Sequence, residues 1–233
     1  MQPTTIFSGS SPGQYKKGET TAFIGSTGSG KSTLINLIPR FYDVTKGRIL
    51  VNGRDVRDVT QHELRARIGY VPQKGVLFSG TIESNLKYGG DSISDRDMEQ
   101  AAQIAQATEF IGAKPDGYQS EISQGGGNVS GGQKQRLSIA RAIAKHPEIY
   151  IFDDSFSALD FMTEARLRIQ LGEKIQGRTQ IVITQRISSA MSSDCIFVMD
   201  GGRLVDAGRH EELLERCRIY REIYISQTGG EAK

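Results

Sequence analysis

The chain of 233 residues carries 29 Lys+Arg against 27 Asp+Glu, a formal net charge of +2, with 37% hydrophobic and 24% charged residues; this is a globular composition, with chain enough for one large domain or a core with a small subdomain. The near balance of charge argues against a dedicated nucleic-acid binder. No apolar run approaches the roughly 18 residues of a membrane span, the amino terminus lacks the layout of a secretory signal, and two cysteines without metal or redox spacing leave a reducing cytosolic environment as the default.

Residues 1–18, including SGSSPG at Ser8–Gly13, show neither strand nor helix periodicity and read as a flexible lead-in. TTAFI at Thr20–Ile24 is a β-branched and aromatic run that stops at Gly25, which predicts a strand. A Gly/Ser loop follows, then a helix from about Lys31 that ends near Pro39. The segments RILVNG and RIGYVP predict strands flanking a short helix at Gln61–Arg67. Met98, Ala101, Ala102, Ala105 and Phe110 fall on one helical face, which predicts one helix over 94–110, opened by a capping box of Ser94 and Asp97. A further helix runs from Gly131 to Lys145, and Pro147 bars its continuation. IYIF at Ile149–Phe152 and TQIVIT at Thr179–Thr184 are apolar without clean alternation, so both faces are buried, as in a parallel sheet covered by helices. CIFVMD, Gly201-Gly202 and RLVDAG predict a hairpin, and HEELLERCRIYREIYIS one closing helix.

Glycine makes up 27 of the 233 residues, roughly 12% against about 7% in ordinary proteins, and its clusters mark the candidate sites. Residues Gly25–Ser32 fit G-x-x-x-x-G-K-[ST] between a predicted strand and helix, the context and spacing of a P-loop. Glycines at Gly25, Gly28 and Gly30 let backbone N–H groups turn inward around phosphate oxygens, with the helix N-terminus adding partial positive charge. The candidate nucleotide-binding residues are therefore Gly25, Ser26, Thr27, Gly28, Ser29, Gly30, Lys31, Ser32 and Thr33, with Lys31 on the β- and γ-phosphates and the Ser32 hydroxyl on Mg²⁺. A P-loop also needs a carboxylate at the end of another buried strand, and Asp153 follows Ile149–Phe152 directly. The competing role for Asp153 is a helix N-cap beside Asp154. SGGQ at Ser130–Gln133 is a capping box, but two glycines in a first turn leave bare N–H groups at the positive end of a helix, a second anion site. Gly125, Gly126 and Gly127 would let the chain flex there. The three histidines and the arginines Arg65, Arg67, Arg136 and Arg141 are expected on solvated faces.

From about Gly18 to the C-terminal helix these segments resemble the nucleotide-binding domain of an ATP-binding cassette (ABC) transporter. GSTGSGKST resembles Walker A, IYIFD Walker B, VSGGQ at Val129–Gln133 the family signature, VPQ at Val71–Gln73 the Q-loop and SALD at Ser157–Asp160 the D-loop, while LFSGTIESNL at Leu77–Leu86 resembles exporter-type domains. The resemblance implies an α/β P-loop NTPase fold over 1–233, with a parallel core sheet, a small antiparallel β region and a helical subdomain at about 74–140. It also implies a head-to-tail dimer, in which Ser130, Gly131, Gly132 and Gln133 serve the ATP of the other chain. Gln73 would touch Mg²⁺ and the attacking water, and link the site to transmembrane domains at the cytoplasmic face of the membrane.

The chain departs from the family pattern at two catalytic positions. The family expects Glu after the Walker B aspartate, where this chain has Asp154, and His at the end of TQIVIT, where it has Gln185. A carboxylate drawn back by about 1 Å can lose on the order of a hundredfold in rate, and an amide cannot become a cation. Together, beside an intact SGGQ, they resemble the degenerate half of a heterodimeric exporter. A homodimeric exporter, or a soluble ABC ATPase acting on nucleic acid or ribosomes, is the alternative. A third departure is the adenine-stacking aromatic that the family places well before Walker A. Tyr15 is the nearest candidate but lies too close to Gly25, as though the chain began behind an excised membrane region.

Overall fold

A computed structural model describes residues 17–90 and 92–229; Tyr15 and most of the lead-in lie outside them. The described residues divide into two compact units, one formed by residues 17–68 and 177–229, the other by residues between 69 and 176.

The first unit is built on a sheet in which β1 (Thr20–Ile24) lies between β8 (Thr179–Ile183) and β9 (Cys195–Asp200), with β10 (Arg203–Gly208) outside β9. β1 pairs in parallel with both neighbours, and β10 returns antiparallel to β9 through Gly201 and Gly202, both at positive φ. The buried, non-alternating composition of Thr179–Thr184 therefore has the predicted cause. One face of this sheet presents Ala22, Ile24, Ile196 and Val198 to α8 (Ile187–Ala190), α9 (His210–Arg216) and α10 (Arg218–Thr228), which contribute Ile187, Ala190, Leu213 and Tyr220, with Cys217 between the last two helices. Phe23 and Phe197 stack on the opposite face, their centroids 5.2 Å apart. Loop residues lead from β1 into α1 (Lys31–Ile35), whose last turns tighten before buried Pro39 through bonds such as Ile38 N–H to the Ile35 carbonyl. The small antiparallel region is β2 (Leu50–Val51) against β3 (Arg54–Asp55), followed by α2 (Gln61–Ala66), which Thr60 caps.

The second unit holds β4 (Ile68–Val71) beside β7 (Ile149–Asp153), β7 being buried at every position. Between them in sequence come β5 (Gly80–Thr81), α3 (Ile82–Leu86), α4 (Asp95–Ile104), α5 (Thr108–Gly112), β6 (Glu121–Ile122) and α6 (Gly131–Ala144), and α7 (Phe161–Lys174) follows β7. β5 and β6 pair antiparallel, and α4 and α6 pack together, α4 burying Met98 and Ala101 and α6 burying Leu137 and Ala140. The fold is thus mixed α/β, with a sheet dominated by parallel strands and small antiparallel sheets beside it.

Two expected helices are each broken. The stretch 94–110 begins with the predicted Ser94–Asp97 capping box, but it turns at Gln106, whose φ of 57° lies in the left-handed region, so α4 and α5 are separate. Ala105 and Ala107 on either side are fully buried, and the break lets both point inward. The closing helix is likewise two helices, because Cys217 is extended at φ −97°, ψ 105°. Its buried side chain joins Leu213 and Tyr220 in the core, a spacing of four and three residues that a straight helix would also place on one face, so the periodicity carries no mark of the break. The four arginines expected on solvated faces are also corrected for three positions. Arg65 donates to the carbonyls of Pro39 and Arg40, Arg136 to that of Gln106, and Arg141 to those of Asn85 and Val76.

Candidate functional site

Residues Gly25–Thr33 form a turn from the buried end of β1 into α1, and each glycine has its own reason. A Cβ on Gly25 would stand 2.1 Å from the Met199 carbonyl oxygen, an impossible contact. Gly28 and Gly30 have φ of 81° and 91°, which residues with a Cβ adopt only at a cost. The Gly202 N–H donates to the Ser29 carbonyl at 3.2 Å, so the β9–β10 turn braces the loop. Lys31 is buried, with Nζ donating to the Gly25 and Ser26 carbonyls at 2.8 Å each and to Ser29 Oγ at 3.1 Å. Its ammonium therefore sits inside the loop, while Ser26, Thr27, Gly28, Ser32 and Thr33 are exposed. Thr27 Oγ1 donates to Gln185 Oε1 at 3.2 Å, which ties the residue after Thr184 to the loop.

In the second unit, Asp153 ends β7 and is only 6% exposed. Tyr70 on β4 donates its hydroxyl to Asp153 Oδ2 at 3.0 Å. Burial, and then the Asp153 charge, push the Tyr70 hydroxyl well above the usual tyrosine range, so it stays a donor. The N-cap role considered for Asp153 and Asp154 belongs instead to Asp160, whose carboxylate accepts from Thr163 N–H at the start of α7. Asp154 has a left-handed backbone, φ 46°, and its Oδ2 accepts from Gln73 Nε2 at 3.0 Å. The residues named as catalytic and metal-side in this unit, Gln73, Asp153 and Asp154, thus lie within one hydrogen-bonded neighbourhood. The buried Asp153 carboxylate is a hard oxygen donor of the kind that Mg²⁺ takes.

Ser130 opens α6 as a reciprocal cap: its Oγ accepts from Gln133 N–H at 3.2 Å, and Gln133 Oε1 accepts from Ser130 N–H at 3.1 Å. The hydroxyl can still donate outward, and Ser130 and Gly131 are exposed. A Cβ on Gly131 would meet nothing within 4 Å. Upstream, Gly125 and Gly126 both have φ 69°, a left-handed backbone that glycine adopts without strain. Two residues along α6, Gln135 accepts from Gly75 N–H at 2.9 Å and donates to the Pro72 carbonyl at 3.1 Å, gripping the backbone on either side of Gln73. Arg141 holds Asn85 and Val76 and lies over the stacked rings of Phe78 and Tyr88. Burial lowers its pKa to about 10. Sequence patterns point neither to Gln135 nor to the partners of Arg141, because those partners are mostly backbone carbonyls and N–H groups dozens of residues away.

Comparison with known proteins agrees with this geometry. The family model described as ABC transporter matches residues 12–157. An uncharacterized ABC transporter ATP-binding protein of Mycobacterium bovis is 49% identical over 216 residues, covering 91% of this chain and 37% of that protein. The ATP-dependent lipid A-core flippase of Saccharophagus degradans is 44% identical over 210 residues, covering 90% of this chain and 36% of the flippase. The structure of a bacterial Atm1-family ABC exporter with ATP bound superposes with a TM-score of 0.89 at 39% identity, covering 99% of this chain and 42% of the exporter. The chain thus spans little more than a third of the length of the curated relatives it matches. A P-loop with its lysine enclosed, a buried carboxylate closing a second strand and relatives of this kind over nine-tenths of the chain lead to one assignment: the chain belongs to the ABC transporter family, as an exporter-type ATP-binding domain.

Proposed function

We propose that the chain, as a single ATP-binding domain over residues 1–233 with a helical subdomain at about 74–140, binds Mg-ATP at a head-to-tail dimer interface and couples it to export. Gly25, Ser26, Thr27, Gly28, Ser29, Gly30, Lys31, Ser32 and Thr33 cradle the phosphates. Ser32, Asp153 and Gln73 face the metal, and Ser130, Gly131, Gly132 and Gln133 complete the nucleotide site of the other domain. The partners are the transmembrane domains of an exporter and a second, non-identical nucleotide-binding domain, which places the chain at the cytoplasmic face of a membrane. Among the described residues no helix is long and apolar enough to cross a membrane. The flippase, the multidrug export proteins of Staphylococcus aureus and the Atm1-family exporter do not favour the nucleic-acid alternative.

The finer part of the proposal is that hydrolysis at this chain's own Walker site is weak. What supports it is the pair of ties on the two departing residues. The short Asp154 carboxylate accepts from Gln73, and the Gln185 amide oxygen is taken by Thr27. A carboxylate that shares its charge with a neighbouring amide is a poorer acceptor for the proton of an attacking water, and Gln185 offers the γ-phosphate a neutral donor where a cation would strengthen in the transition state. ATP contacts in the P-loop are untouched by either change, so binding persists.

The test is single-turnover hydrolysis in the assembled pair, with the partner's own Walker B glutamate replaced by glutamine. Asp154→Glu with Gln185→His raises turnover at this site by on the order of tenfold or more, and non-additively, since both residues act on one phosphate. An unmodified chain that already hydrolyses as fast as the restored variant overturns the weak-site reading and leaves a homodimeric exporter.

A further inference from the structure

The segment that carries Gln185 is held from outside the nucleotide site as well as from within it. Gln227, near the end of α10, donates from Nε2 to the Gln185 carbonyl at 2.6 Å and accepts at Oε1 from the Ile187 N–H at 2.7 Å. These two bonds run in opposite senses to backbone groups two residues apart, so the amide fits in one orientation alone. Ile187 is the first residue of α8, whose start has no side-chain cap bond from the N-cap residue Arg186, and Gln227 accepts from the Ile187 N–H there. The intervening N–H, that of Arg186, goes to Thr184 Oγ1 at 3.0 Å. Thr184 in turn extends β8, with its N–H on the Phe23 carbonyl of β1.

Residue 185 is consequently suspended between two elements. Its side chain meets Thr27 of the P-loop, and its backbone meets α10. α10 is a firm support: Tyr220 in its first turn is fully buried, and the Tyr220 hydroxyl lies 2.8 Å from His210 Nδ1. Gln227 itself is exposed. An exposed glutamine that gives up its rotamer freedom to fix two backbone groups of a loop stabilises one loop geometry at an entropic cost, which a purely solvated helix position would not bear.

We propose that Gln227 is a positioning residue for Gln185: through its two backbone bonds the C-terminal helix sets where the Gln185 amide stands relative to the terminal phosphate of ATP. The proposal rests on the reading of Gln185 as a γ-phosphate contact. Losing the clamp frees the loop without touching the P-loop, so recognition of the third phosphate suffers while recognition of the first two does not.

The experiment compares the unmodified chain with Gln227→Ala, Gln227→Glu, Gln185→Ala and the Gln227→Ala/Gln185→Ala double variant, by amide hydrogen exchange of the 185–188 segment and by calorimetric affinity for Mg-ATP and Mg-ADP. Gln227→Ala raises exchange at Ile187 by about tenfold or more and weakens ATP binding by about three- to tenfold, the loss expected for one misplaced hydrogen bond, with ADP affinity unchanged. Gln227→Glu, which keeps the acceptor for Ile187 but turns a carboxylate oxygen toward the Gln185 carbonyl, gives the same loss of ATP over ADP preference. The double variant loses no more than Gln185→Ala alone. Unchanged exchange overturns the clamp, and equal losses for ATP and ADP overturn the positioning role in favour of a general defect. If Gln185→Ala itself leaves the ATP to ADP ratio unchanged, the γ-phosphate reading of Gln185 has failed and the proposal falls with it, an outcome distinct from the other two.

Discussion

Glycine serves opposite ends in the two phosphate-type segments of this chain. In the P-loop, Gly28 and Gly30 stand at φ of 81° and 91°, and Gly25 lies against the Met199 carbonyl, so glycine there makes a backbone shape possible. At the start of α6, Gly131 has no positive φ and open space where a Cβ would be, so glycine there keeps a surface bare. The first segment wraps its own cation, with three oxygens on the Lys31 ammonium. The second encloses no cation among the residues Ser130–Gln133 and caps itself with Ser130 and Gln133. A segment that encloses charge can hold a ligand unaided, whereas a flat helix start with exposed N–H groups needs another surface to close over the ligand. That difference supports the proposal that the signature acts across a dimer interface.

The sharpest way to break the comparison is Lys31→Ala, which removes the one cation of the P-loop from among backbone dipoles. ATP affinity of the chain falls by at least about a hundredfold, read by calorimetry, and an unchanged affinity would mean the loop is not the primary site. Next comes Gly131→Asp, which sets a carboxylate where a phosphate would lie. Hydrolysis by the assembled transporter falls by about tenfold or more while the isolated chain binds ATP as before, and a matching loss in the isolated chain would contradict action in trans. The smallest and most discriminating pair is Gly28→Ala against Gly131→Ala. The former destabilises the fold by about 1–2 kcal/mol because of its left-handed backbone. The latter stabilises it by up to about 1 kcal/mol, since alanine is the better residue in a helical turn. Denaturant midpoints measured side by side decide it, and equal signs would erase the distinction.

Sequence patterns reached the strands, the caps and the loops because their causes are local. A β-branched run ending in Gly25, a Ser94–Asp97 box and a proline at Pro147 act within a few residues. The misses have tertiary causes. Gln106 breaks a helix whose apolar periodicity is otherwise continuous, with Ala105 and Ala107 buried on either side, while the break at Cys217 leaves the helical spacing of Leu213, Cys217 and Tyr220 intact and so has no signal in the periodicity. The arginines looked solvated because charge is all that sequence displays, yet Arg141 finds carbonyl acceptors 56 and 65 residues away. Asp154 and Gln185 were legible as departures from a pattern, but their ties to Gln73 and Thr27 were not, since each spans more than 80 residues of chain. Gln227, 42 residues from Gln185, has no local signature at all.

The two-glycine turn between β9 and β10 bears on how this domain can be engineered. Hairpin tips with small residues are ordinarily where a tag, a fluorescent protein or a circular break is best tolerated. Here the Gly202 N–H is bonded to the Ser29 carbonyl, and the Met199 carbonyl, three residues earlier, packs against Gly25. Residues inserted between Gly201 and Gly202 would pull on the loop that surrounds Lys31. The tip is therefore a poor place for a passive handle, and a good one for a reporter whose signal should change when the phosphate loop is filled.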